Sequence, residues 1–201
     1  MCFIPPKVRA MIVLGVAANG FIKTRTMACI IAVKDATPSD IHVACNDSCY
    51  VPLNRQKLAQ YAVDSGATHL FFVDTDMIFP SGTLVQLLKT GKYIVGASYN
   101  MRLQGTQLTT TNIINAAGEV ETLKETPTEL TQVNSIGTGL LLINTHVFKH
   151  IPKPWFTLVF DETGKLTHGE DIWFCQKARE TGYEIWSAPI PGVGHIGDYV
   201  Y

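Results

Sequence analysis

The feature that most constrains this chain is Leu70-Phe71-Phe72-Val73, four consecutive apolar residues between His69 and Asp74. Successive side chains on a strand point to opposite faces. An unbroken apolar run of this kind therefore needs cover on both sides, as in a parallel sheet sandwiched between helices. The flanking segments agree. Val8 to Ala17 reads as a strand, and Ile22 to Asp35 as a helix with Ile22, Met27, Ile30 and Ile31 inward. Ile41 to Ala44 reads as a short strand, and Pro52 to Asp64 as a helix resting on Leu53, Leu58, Tyr61 and Ala62. Gly66 is placed to stop that helix. Ser81 is placed to cap, and Gly91 to end, another helix over 81–90, with a strand at Tyr93 to Ala97. The βαβαβαβ order predicts an α/β fold with a mainly parallel sheet covered by helices.

The second half is less regular. From Gln104 to Asn134 the chain is rich in Thr, Asn and Glu with weak periodicity, which predicts a hairpin or a mobile excursion, with Ala117-Gly118 as the turn. Strand character returns at Leu140 to Ile143. A helix is expected within Gly169 to Gly182, on Ile172, Trp173, Phe174, Cys175 and Ala178, and the tail from Ile185 is rich in Gly and Pro. No repeat or linker divides the 201 residues. One domain is expected, with a first half of about 8–100 and a second of about 101–201.

Composition narrows the function. The formal net charge is −1, so charge alone does not favour non-specific nucleic-acid binding. Five cysteines, odd in number and scattered, make neither a zinc framework nor a disulfide scaffold and suit a reducing compartment. Lys7 and Arg9 before the apolar stretch Ala10 to Ala18 imitate a signal peptide, but the stretch reads better as the first strand. Without secretion the sequon Asn46-Asp47-Ser48 carries no meaning. No apolar run approaches the roughly 18 residues that span a membrane, so a cytoplasmic protein is expected.

Chemistry concentrates where the buried strand ends. Asp74-Thr75-Asp76 follows it directly, and ligands in open α/β sheets bind beyond the carboxyl ends of strands. Alternate residues of an extended segment face opposite ways, so one aspartate can hold a sugar hydroxyl while the other reaches a cation. Asp-x-Asp alone is weak. Preceded by an apolar strand and followed by Met77-Ile78-Phe79-Pro80, it is a stronger signal. Glu170 and Asp171 open the 169–182 helix, where the helix dipole stabilises carboxylates and a general base can be positioned. His195, between glycines, is a candidate ligand for a Mn²⁺-like ion, with His168 its weaker rival. Gly192 to Gly197 spells Gly-x-Gly-x-x-Gly, but no room remains for the helix that a dinucleotide fingerprint requires.

These segments together resemble the GT-A glycosyltransferases, small bacterial and phage members in particular. His69 to Pro80 looks like their Asp-x-Asp core. Pro52-Leu53-Asn54-Arg55 is similar to their nucleotide-contacting helix start. Ile136-Gly137-Thr138-Gly139 is similar to their acceptor-side strand, and His168-Gly169-Glu170-Asp171 to their Glu-Asp motif. The landmarks run in family order over about residues 8–197.

The resemblance implies a Rossmann-like GT-A sheet and a metal-dependent hexosyltransferase using a nucleoside-diphosphate sugar, a UDP-sugar by preference, in a bacterial or phage-infected cell. It implies Mn²⁺ or Mg²⁺ bound by Asp76 and His195, with Asp74 nearby. The nucleotide would lie along Ala17, Asn19, Arg55, Asp74, Thr75 and Asp76, with Arg102 offsetting diphosphate charge. Asp171, supported by Glu170, would be the base in an inverting reaction, and would orient the sugar in a retaining one. The acceptor is left open among a glycan, a protein, a lipid-linked sugar and a modified nucleic-acid base. Tyr99 and Asn100 would face sugar or phosphate, and Trp155 and Phe156 would stack on a sugar or pack in the core. Two other readings remain: a nucleotidyltransferase on a related sheet, and a nucleotide-sugar-binding module without catalysis.

Overall fold

The computed structural model describes residues 10–102 and 108–197. Val8, Arg9, Cys2 and the first residues of the 104–134 excursion lie outside them. The strands are β1 (Met11–Ala18), β2 (Asp40–Asp47), β3 (His69–Asp74), β4 (Met77–Ile78), β5 (Ile94–Ala97), β6 (Thr111–Ile114) and β7 (Val120–Thr122). They continue with β8 (Thr131–Val133), β9 (Ser135–Ile136), β10 (Leu140–Asn144), β11 (Val159–Phe160), β12 (Leu166–His168), β13 (Ile185–Ala188) and β14 (Gly194–His195). The α-helices are α1 (Thr24–Ala36), α2 (Val51–Asp64), α3 (Thr83–Lys89) and α4 (Glu170–Glu180).

Seven strands form the main sheet in the order β2-β1-β3-β10-β5-β13-β8. Five run the same way, whereas β10 and β8 are reversed. The mainly parallel sheet is therefore present, with an antiparallel strand wedged between β3 and β5. The β3 run explains itself. Leu70 and Phe72 join a core with Leu58, Ala59 and Ala62 of α2 and Phe174, Cys175 and Ala178 of α4. Phe71 and Val73 join the opposite core with Ile30 and Val33 of α1 and Leu84 and Leu87 of α3. All four residues are at most 1% exposed.

Several expectations about helix faces need correction. On α1 the inward residues are Thr26, Ile30 and Val33, while Met27 and Ile31 face solvent. On α2 Leu53 and Tyr61 are exposed, and Asn54 and Arg55 turn inward beside Leu58 and Ala59. The cap of α3 is Gly82 without a side-chain bond, not Ser81. Trp155 and Phe156 are both core residues. The Trp155 indole donates to the Ile151 carbonyl, and Phe156 packs on Phe72 and Phe174. Gly66, at φ 73°, ends α2 as expected. The excursion forms the β6–β7 hairpin, turning through residues 115–119.

The carboxyl ends of β1, β2, β3, β5 and β13 share one edge of the sheet with the start of the reversed β10. Asn54, fully buried at the start of α2, ties that edge together. It donates to the Ala18 and Ser48 carbonyls at 2.8 and 2.9 Å and accepts from Asn46 at 2.6 Å. Because Phe72 links α2, α4 and the sheet, Phe72→Ala should lower unfolding free energy by about 3–5 kcal/mol, read from urea denaturation. A loss below about 1 kcal/mol would contradict this packing.

Candidate active site

Two clusters of charge stand at the carboxyl edge of the sheet, and one tyrosine lies between them. The first centres on Arg55. Its side chain is 6% exposed; Nη2 donates to Asp74 Oδ1 at 2.8 Å and Nη1 to Glu170 Oε1. Arg55 comes from the first turn of α2, Asp74 from the last residue of β3, and Glu170 from the first residue of α4. Burial opposes the guanidinium charge, but Asp74, Glu170 and Asp171 together hold it above its ordinary range. Burial, reinforced by Asp171 and Asp74, pushes the Glu170 carboxyl up against the opposing pull of Arg55. Arg55 Nε is buried without a hydrogen-bond partner. The guanidinium thus bonds two carboxylates of the protein.

The second cluster centres on Asp76, whose side chain is 11% exposed. Oδ2 lies 2.9 Å from Arg102 Nη1 and Oδ1 lies 3.3 Å from His195 Nε2. Burial disfavours the charged carboxylate, yet His195, Arg102 and the Asp76 backbone hold its pKa below the usual range. The tail reaches this point because β14 pairs with β4, with His195 opposite Met77, and Ile196 N–H donates to the Asp76 carbonyl at 2.8 Å. His195 Nδ1 lies 3.2 Å from the Asn100 carbonyl. The ring is thus held between the Asn100 carbonyl at Nδ1 and the Asp76 carboxylate at Nε2.

Tyr99 joins the two clusters. Its hydroxyl accepts from Gly139 N–H at 2.9 Å, and its ring meets the His195 ring edge-on at 5.2 Å. Burial and the Asp74 charge push its phenol well above the ordinary value. Gly139 N–H thus points at Tyr99, while the Gly139 carbonyl accepts from Asp74 N–H at 3.0 Å. A Cβ on Gly139 would collide with the Tyr99 hydroxyl and come within 3.1 Å of Asp74 Oδ2. The Gly-Thr-Gly step is therefore a steric requirement of the site. Sequence reading had placed Tyr99 only near the substrate. The glycines at 137 and 139 carry the signal that something large approaches the backbone there.

The other anticipated residues are placed as follows. Ala17, half-buried, pairs in register with Asp74. Asn19 is exposed in the loop after β1, where Gly20 N–H donates to Asp47 Oδ1 at 2.7 Å. The Thr75 carbonyl accepts from Lys23 N–H at 2.8 Å, fixing the start of α1 against the aspartates. Asp171 is half-buried in the first turn of α4 and accepts from Ile172 N–H at 2.8 Å. His168 lies in β12 beside Thr167, and His195 is the histidine that meets Asp76. Among the described residues no group of three or more His, Cys, Asp or Glu side chains is arranged to hold a metal ion. Asp76 and His195 supply one carboxylate and one imidazole. That donor pair suits a Mn²⁺-like ion whose other ligands come from a substrate and water. The Arg102 guanidinium beside Asp76 shows that the carboxylate accepts a positive partner.

No protein-family model matches the chain, and no curated protein sequence matches it. Among solved structures it is similar to A197 from STIV, with a TM-score of 0.65 and 14% identity over 94% of this chain and 86% of that one. At that identity the similarity shows a shared fold alone. It also matches a glycosyltransferase involved in the glycosylation of the major capsid of PBCV-1. The TM-score there is 0.39 and the identity 10%, over 73% of this chain and 69% of that one. That likeness is too low to carry weight for fold or activity. No helix among the described residues is long and apolar enough to cross a membrane.

Arg55→Met would leave Asp74 and Glu170 without their shared cation. The expected loss of stability is about 3–5 kcal/mol, with part restored by adding Glu170→Gln. Denaturant titration of the single and double variants checks this. Equal stability of Arg55→Met and wild type would remove Arg55 as the organiser of the site.

Proposed function

We propose that this protein is a GT-A-type glycosyltransferase that moves a sugar from a nucleoside-diphosphate sugar, a UDP-sugar by preference, to an acceptor hydroxyl. The observation that carries the reading is the convergence of Asp74, Asp76, His195, Arg102, Glu170 and Asp171 at the carboxyl edge of one α/β sheet. This is where such sheets bind ligands, and the set divides into groups that bind charge and groups that take protons.

Asp76 and His195 would hold a divalent cation, Mn²⁺ or Mg²⁺, with Asp74 close by. When bound, the cation would neutralise charge developing on the diphosphate leaving group. Arg102, on the same carboxylate, is within reach of the same negative charge. Ala17 near the end of β1, Asn19 just after it and Thr75 just after β3 would border the nucleoside. Arg55 keeps the Asp74 and Glu170 carboxylates apart and fixed. Asp74 then turns its remaining oxygen to a sugar hydroxyl. Asp171 stands in the first turn of α4, where the helix dipole and the Ile172 N–H stabilise its carboxylate. In an inverting reaction it takes the acceptor proton as the hydroxyl attacks the anomeric carbon. In a retaining one it orients the donor sugar. The acceptor belongs to one of four classes: glycan, protein, lipid-linked sugar or modified nucleic-acid base.

A panel of nucleotide sugars with Mn²⁺ tests the proposal. Thermal stabilisation and slow hydrolysis of one donor are expected. Asp171→Asn should lower kcat on that donor and its acceptor by about 10²–10⁴-fold, with a smaller change in KM. A response to nucleoside triphosphates and to no nucleotide sugar would instead identify a nucleotidyltransferase. Donor binding with no turnover by any acceptor class would identify a binding module.

A further inference from the structure

The amino edge of the parallel strands, opposite the candidate active site, carries a second group of aromatic and charged side chains. Tyr93 stands just before β5 and Tyr99 just beyond its far end, so about 20 Å of extended chain separates them. Between the starts of β5 and β13 lies a recess of about 230 Å³, lined by Gly91, Lys92, Tyr93, Glu184 and Trp186.

The polar groups of the recess are already in place. The Trp186 indole N–H donates to Glu184 Oε2 at 3.1 Å. Lys92 Nζ lies 3.6 Å from the Trp186 ring centroid and 4.0 Å from the same Glu184 oxygen. The indole thus holds the ammonium by its face and the carboxylate by its N–H. Both charged groups still reach solvent, Lys92 with 30% and Glu184 with 55% of the side chain exposed. Tyr93 is 49% exposed and meets the rings of Tyr183 at 5.5 Å and His146 at 6.2 Å. The Tyr183 hydroxyl in turn lies 2.7 Å from His150 Nδ1. The Tyr93 ring is braced by its neighbours, and half of it stays open.

We propose that this recess is a binding site for one neutral hexose ring of a glycan, separate from the candidate active site. The proposal goes beyond the glycosyltransferase reading and does not require it. Size is the first argument. The recess is smaller than the roughly 300–1,000 Å³ pockets that take drug-sized molecules, so it suits a single ring. Charge is the second. Lys92 faces Glu184 across the recess, so the two charges offset each other and a phosphate would meet a carboxylate beside its ammonium. The chemistry of the lining is the third. Neighbouring sugar hydroxyls both donate and accept: Glu184 takes their hydrogens, and Lys92 gives hydrogens to their oxygens. The weakly positive C–H bonds of a pyranose pack on the negative face of an aromatic ring, and Tyr93 offers one. A nucleobase would stack on Tyr93 but lacks the row of hydroxyls that this carboxylate and ammonium match. Because the rings and charges hold one another, little side-chain freedom is lost on binding. Taken with the glycosyltransferase reading, the recess favours a glycan among the four acceptor classes, held at a distance from the reacting hydroxyl.

The experiment is titration of the whole protein with neutral tetrasaccharides of glucose, galactose, mannose and N-acetylglucosamine. The readout is the amide resonances of Lys92 and Tyr93 and the Trp186 indole resonance. One tetrasaccharide should shift all three with a Kd of about 1 mM, as expected for a single ring. Tyr93→Ala and Lys92→Ala should each weaken that binding about tenfold. Both side chains reach solvent, and unchanged resonances elsewhere confirm that the variants fold. Nucleotide-sugar hydrolysis by the two variants should equal that of wild type. The proposal is overturned if no tetrasaccharide moves these resonances at about ten times that concentration, or if both variants bind as wild type does. Tighter binding of inorganic phosphate or uridine at the same resonances would also overturn it. Sugar binding here by a protein that hydrolyses no nucleotide sugar would leave this site standing and remove the glycosyltransferase reading instead.

Discussion

The rigid side of the site depends on one buried guanidinium. Arg55 joins α2, the end of β3 and the start of α4 through Asp74 and Glu170. Without a positive charge between them these carboxylates would repel one another. With Arg55 present they stay fixed, and Asp74 begins the Asp74-Thr75-Asp76 turn from a set position. The neighbouring Asn54 works on the same turn of α2 by bonding the ends of β1 and β2. The start of α2 therefore aligns the sheet ends and the carboxylates together.

The site has a rigid half and an adjustable half. Tyr99 and the glycines at 137 and 139 are packed so closely that a single added methyl group would collide, and Arg55 is bonded to two carboxylates beside them. Asp76, His195 and Arg102 depend instead on a two-residue strand pair and an exposed arginine. In the proposed reaction the rigid side would orient the sugar and the base, and the adjustable side would admit and release the charged leaving group. Tyr99 lies between them, bonded to Gly139 on one side and ring-packed on His195 on the other.

Much of this was legible in the sequence, for identifiable reasons. The Leu70–Val73 run encodes its own two-sided burial, and Asp74 and Asp76 follow from where it stops. His195 was legible because its flanking glycines stand in a tail with little else to anchor it. The helix faces were less legible. Apolarity alone points to Met27, Ile31, Leu53 and Tyr61, whereas Thr26, Asn54, Arg55 and Ala59 take inward positions. Small and hydrogen-bonded polar residues fill an interior as well as large apolar ones when partners are present. The reversed β10 between β3 and β5 was not legible, since Leu140 to Ile143 announces a buried strand but not its neighbours or direction. The Arg55 bonds to Asp74 and Glu170 were not legible, since those partners lie 19 and 115 residues away.

The most direct measurement is a crystal structure of the protein with UDP and Mn²⁺, the ion located by its anomalous scattering. The account predicts manganese bound between Asp76 and His195 Nε2, in contact with diphosphate oxygens, with the Arg55 bonds to Asp74 and Glu170 unchanged. Manganese and diphosphate bound elsewhere, with Asp76 still paired to Arg102, would contradict it.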